Sequence, residues 1–130
     1  MNPILVVDDD SDFCAALSAF LESEGFRTIC AADAREGLRL AKTHLPAIVI
    51  MDIVMNEPTE GLFAVREMRH SPELLHVPVF AVTSLFARTD LAVPREPGWM
   101  ACDELFTKPV DLEAMLEKIR QYVPAQGGVR

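Results

Sequence analysis

The sequence predicts one doubly wound α/β domain, a (βα)5 unit whose five-stranded parallel sheet carries helices on both faces. Three observations lead there. Short runs such as Ile4 to Val7 and Ala47 to Met51 are apolar throughout, without the polar alternation of a half-exposed strand. Stretches with apolar residues at helical spacing lie between such runs, so strand and helix alternate five times. The connections are short and rich in capping acids, glycine and proline. That alternation implies right-handed crossovers and a parallel sheet.

Taken in order, Ile4 to Val7 is the first strand and runs into Asp8, Asp9 and Asp10. Asp10 or Ser11 can cap the helix that follows, which repeats Phe13, Ala16, Leu17, Phe20 and Leu21 and stops at Gly25. Phe26 to Ala31 is expected as the second strand. Asp33 caps a second helix with Leu38, Ala41 and Leu45, closed by Pro46. Ala47 to Met51 forms the third strand and ends on Asp52. A turn-rich loop, Asn56 to Gly61, is expected before a third helix through Leu62, Val65 and Met68. Val77 to Val82 is the fourth strand, closing on Thr83. Pro94, Pro97 and Gly98 leave only a short, irregular fourth helix between Leu85 and Ala101. Glu104 to Thr107 is the fifth strand, followed by Lys108-Pro109. Asp111 caps a fifth helix with Leu112, Met115, Leu116, Ile119, Tyr122 and Val123 on one face. The expected domain covers residues 1–123, with 124–130 as a flexible C-terminal tail.

Composition narrows the function classes. A formal net charge of −8 argues against direct nucleic-acid binding. No apolar run approaches the length of a membrane span, and the N-terminus lacks the pattern of a signal peptide, so a cytoplasmic location is expected. Cys14, Cys30 and Cys102 are widely spaced and fit reduced core thiols better than disulfides. His44, His70 and His76 share no ligand spacing with them.

The chemistry gathers at the strand ends. In a parallel sheet the C-terminal ends of all strands share one edge, where open α/β folds place their sites. Asp8 and Asp9 follow the first strand, Asp52 ends the third, Thr83 the fourth and Lys108 the fifth. Three carboxylates that close repel one another unless a cation intervenes. An oxygen-only donor set suits Mg²⁺. A cation beside Asp52 neutralises an incoming phosphoryl group and lets the carboxylate act as a nucleophile, with Thr83 and Lys108 supplying further stabilisation. Considered alone, each residue has a plainer reading: a capping acid, a strand-end hydroxyl, a solvated lysine.

Taken together, Ile4-Leu5-Val6-Val7-Asp8-Asp9-Asp10, Ile50-Met51-Asp52-Ile53-Val54-Met55, Val82-Thr83-Ser84 and Phe106-Thr107-Lys108-Pro109 resemble the receiver domains of two-component response regulators, over about Ile4 to Val123. The resemblance implies a flavodoxin-like strand order 2-1-3-4-5. By position, it makes Asp52 the phosphoacceptor for a histidine-kinase or phosphotransfer-protein phosphohistidine. It makes Asp8, Asp9, Asp52 and the Val54 backbone carbonyl the Mg²⁺ site, and Thr83 and Lys108 the groups that meet the phosphoryl oxygens. It also implies an often-cis Lys108-Pro109 bond, no enzymatic turnover beyond the domain's own phosphorylation and dephosphorylation, and monomers or weak dimers. Output would pass to a partner protein or domain through the face of the fourth helix, fifth strand and fifth helix.

The chain departs from the family pattern in two places. Asn56 stands where a proline is common, and Gly61 arrives one residue late. Leu105 occupies the usual aromatic switch position, with Phe106 beside it on the opposite face. These departures motivate one alternative, a receiver-like interaction module that works without phosphorylation. An aspartate-nucleophile phosphohydrolase would carry a second acid where Val54 stands, and a flavodoxin would not place acids beside its phosphate loop.

Overall fold

The computed structural model describes residues 2–52, 58–83 and 102–123, with backbone alone over 58–62. Chain order is β1 (Ile4–Val7), α1 (Ser11–Ser23), β2 (Thr28–Ala31), α2 (Ala34–His44), β3 (Ile48–Asp52), α3 (Pro58–Arg69), β4 (Val79–Thr83), β5 (Glu104–Thr107) and α4 (Leu112–Tyr122). All four strand pairings are parallel, and the sheet order is β2-β1-β3-β4-β5. The doubly wound fold and its order are therefore as expected. The expected irregular fourth helix, Val54, Asn56, Glu57 and the 124–130 tail lie outside the described residues. Helix α4 is thus the fifth helix of the sequence reading.

Two apolar clusters explain why the central strands lack polar alternation. Leu5, Val7, Val49, Met51, Val79 and Ala81 pack on one face against Ala41 of α2 and Val65 and Met68 of α3. Ile4, Val6, Ile48, Ile50, Phe80 and Val82 pack on the other against Leu17 and Leu21 of α1 and Met115 and Ile119 of α4. Both faces of β1, β3 and β4 are covered, so every residue there is buried.

Local chemistry sets the element ends. Asp10, Asp33 and Asp111 cap α1, α2 and α4 by accepting from first-turn amides. Gly25, at φ 98°, ends α1 in the left-handed region. The Phe26 amide donates to the Leu21 carbonyl and the Gly25 amide to the Glu22 carbonyl, a Schellman closure. This corrects the expectation that β2 starts at Phe26: that residue completes the end of α1, and pairing begins at Thr28. At the other boundary, Val77 donates to Leu74 in a turn and β4 starts only after Pro78. Pro58 to Gly61, expected as loop, is helical; proline suits the first turn because its missing N–H would have no intrahelical partner there. Cys30 also departs from expectation, since it is exposed on the edge strand, 3.2 Å from Ser18 Oγ.

Helix α2 ends on Leu45, a non-glycine residue at φ 49°. A β-carbon in that region costs about 1–2 kcal/mol, and the Leu45 side chain, 43% exposed, recovers little by burial. Leu45→Gly is expected to raise the unfolding free energy by about 1 kcal/mol, read as a higher urea midpoint at unchanged slope.

Candidate functional site

The register of β1 and β3 pairs Val7 with Met51, so Asp8 and Asp52 leave the sheet side by side. Asp52 still pairs with Val82 of β4, placing Thr83 one residue beyond it on the far side. Asp8, Asp9 and Asp52 offer carboxylate oxygens that lie within 4.8 Å of one another. Asp8 and Asp52 are buried at 2% and 4% exposure, and Asp9 faces solvent. The cation arrives from β5: Lys108 Nζ lies 2.9 Å from Asp8 Oδ2 and 3.5 Å from Asp52 Oδ2. The Lys108 amide donates to the Thr83 carbonyl at 3.0 Å, which ties this turn to the end of β4. The Lys108-Pro109 peptide is cis.

The four predicted residues Asp8, Asp9, Asp52 and Lys108 are thus brought together, with Thr83 fully buried at the adjoining strand end. Val54 lies outside the described residues. Leu105 is 42% exposed while Phe106 packs toward Phe80, their ring centres 5.6 Å apart, so the two do point to opposite faces.

Electrostatics follows from the shortage of positive charge. Burial alone would lower the pKa of the Lys108 ammonium, but the Asp8 and Asp52 carboxylates outweigh it and hold it above its ordinary value. Asp8 Oδ1 accepts from the Asp10 amide at 2.8 Å. Oδ2 of the same carboxylate has no polar partner among the described residues besides the lysine. A buried carboxylate oxygen with one ionic contact, in a set made only of carboxylates, fits a small hard cation such as Mg²⁺.

Two residues near the site were not foreseen in these roles. Phe13 places its ring centre 4.5 Å from Lys108 Nζ. Cys14 Sγ lies 3.4 Å from the Asp8 carbonyl; burial, together with nearby Cys30, pushes its thiol up to about 12 and keeps it a protonated donor. The signal for Phe13 was present: a first-turn helical side chain leans back over the residues before its own Cα.

Comparison with known proteins decides the family. The family model for the response regulator receiver domain matches residues 4–120. The chain belongs to that family. As a receiver domain it is a signalling domain of two-component systems. It is 29% identical over 120 residues to the polar-differentiation response regulator DivK of Brucella anthropi, covering 92% of this chain and 94% of that one. It superposes on the chemotaxis protein CheY4 of Vibrio cholerae with a TM-score of 0.80 at 23% identity, covering 95% of this chain and 99% of the other. The receiver domain of the sensor histidine kinase PA1611 of Pseudomonas aeruginosa, with a magnesium ion coordinated in its active-site cleft, matches at TM-score 0.78 and 24% identity over 93% and 96%. Within this receiver domain, no described helix is long and apolar enough to cross a membrane.

Proposed function

We propose that this chain is the phosphoacceptor of a two-component phosphorelay, taking a phosphoryl group onto Asp52 from the phosphohistidine of a sensor histidine kinase or phosphotransfer protein. The observation that carries this is Asp52 itself: a carboxylate 4% exposed, at the strand-end edge, 3.5 Å from an ammonium and beside two further acids. An acid so placed is costly to fold around and suits a reactive role better than a structural one.

Asp8, Asp9, Asp52 and the Val54 carbonyl would hold Mg²⁺, which when bound neutralises charge as the phosphoryl group arrives. An Asp52 oxygen attacks phosphorus as the P–N bond breaks, and the electron pair returns to the departing imidazole. Lys108 turns from Asp8 toward the transferred oxygens, and Thr83 offers a hydroxyl beside them. The acyl phosphate then shifts the balance between two pre-existing conformations. Output passes to a partner through the face that includes β5 and α4. Catalysis is limited to the domain's own phosphorylation and dephosphorylation, within residues 1–123 and in the cytoplasm.

Intact mass after incubation with Mg²⁺ and acetyl phosphate tests this. The wild type is expected to gain about 80 Da, one phosphoryl group, and Asp52→Asn to gain nothing. No gain in the wild type, with acetyl phosphate or with a cognate kinase, overturns the reading.

A further inference from the structure

The geometry points to Phe13 as a positioning residue for Lys108, one that holds the ammonium near Asp52 when Asp8 turns to a cation. The inference rests on the reading of Asp52 as phosphoacceptor and extends it to a residue outside the acid–lysine–hydroxyl set.

Four residues form a closed circuit. Asp8 Oδ1 accepts from the Asp10 amide at 2.8 Å, and Asp10 Oδ1 accepts from the Phe13 amide at 3.2 Å. The Phe13 ring lies 4.5 Å from Lys108 Nζ, which returns to Asp8 Oδ2 at 2.9 Å. The cap that starts α1 therefore also sets where the ring stands relative to the acids.

The ring differs in kind from the other holders of the ammonium. Asp8 has two claimants, since the carboxylate that binds Lys108 is also a donor to the proposed cation. When Asp8 is drawn to that cation its hold on the lysine weakens. A lysine head on a flexible four-carbon stem, its side chain 23% exposed, is then free to swing toward water. The aromatic face attracts the cation through its quadrupole, uses none of the three N–H donors in an aligned bond and has no affinity for the metal. It keeps Nζ beside Asp52 with its donors available for phosphoryl oxygens. Leucine in the same place would keep the apolar packing and lose the attraction.

The test compares wild type, Phe13→Leu and Phe13→Tyr by the rate of acetyl phosphate-driven phosphorylation at saturating Mg²⁺, with Mg²⁺ affinity from calorimetry and melting temperature alongside. A small-molecule donor removes any contact between Phe13 and a kinase. Phe13→Leu is expected to slow phosphorylation about three- to tenfold with Mg²⁺ affinity within about twofold of wild type. Phe13→Tyr, which keeps the ring, should restore most of the rate. An unchanged rate in Phe13→Leu overturns the inference, and so does an equal loss in Phe13→Tyr, which would assign the effect to packing. A wild type that takes no phosphoryl group fails earlier, at Asp52, and removes the reading on which the inference stands.

Discussion

Lys108→Met is expected to lower stability and raise Mg²⁺ affinity while slowing phosphorylation. Removing one partner of a buried ion pair costs about 3–5 kcal/mol; with the Lys108 side chain 23% exposed, water screens part of this and about 2–3 kcal/mol remains. The loss arises because Asp8 and Asp52 are left buried without their cation. The same vacated acids bind Mg²⁺ without a competitor, so the affinity should rise several-fold. Phosphorylation should slow by about a hundredfold, the order found when one stabilising donor is taken from a transition state. The sign of the pH dependence follows from the raised lysine pKa. Stability from the pair is full below the ordinary value of 10.5 and is lost as pH rises through the higher native one. The gap between wild type and Lys108→Met, measured by urea unfolding in chelator, should stay constant near neutrality and close only in the alkaline range. A gap already closing as pH is raised from 7 to 9 would contradict the assignment.

Gly37→Ala in α2 is expected to reverse the usual benefit of that exchange. Alanine in place of glycine within a helix normally stabilises by about 1 kcal/mol. Here the added Cβ would stand 2.7 Å from Val7 Cγ2 and 3.0 Å from Cγ1. Val7 is fully buried on a central strand and is stiff about χ1, so it cannot swing aside. Overpacking of this kind costs about 1–3 kcal/mol, which cancels or exceeds that gain and leaves a net loss of up to about 2 kcal/mol. In a Val7→Ala background the obstructing methyls are gone and the same substitution should turn stabilising. A double-mutant cycle by urea unfolding would show that change of sign as coupling of about 1 kcal/mol or more. Additive effects would mean the helix simply shifts away.

Much of this site was legible because its parts are local. Asp8, Asp9, Asp52, Thr83 and Lys108 each sit at the end of an apolar run, and a parallel sheet brings such ends to one edge whatever the exact strand bounds. The caps at Asp10, Asp33 and Asp111 were readable for the same reason: the acceptor and its amide lie within three residues. What escaped depends on competition or on distance. Phe26 has strand propensity but serves the end of α1, where its amide finds a carbonyl first. Pro58 to Gly61 contains turn residues that also suit a helix start, and periodicity alone could not choose between them. The Phe13–Lys108 contact joins residues 95 positions apart by subtraction of their numbers, so the local lean of the ring back over the residues before α1 was readable but its pairing with Lys108 was not.

The strand order has a kinetic consequence. The acids come from β1 and β3, the buried threonine from β4 and the lysine from the turn after β5, and no two of these strands are joined by a hairpin. Every pairing among them closes a long loop, and contacts of that sort form late and slowly. Nothing short of the complete sheet juxtaposes the acids with the lysine. A chain caught part-way through folding, or nicked before β5, would carry Asp8 and Asp52 without Lys108 beside them. Assembly of the acid–lysine cluster is in this way tied to completion of the last strand, so the cluster is a marker of a fully folded domain.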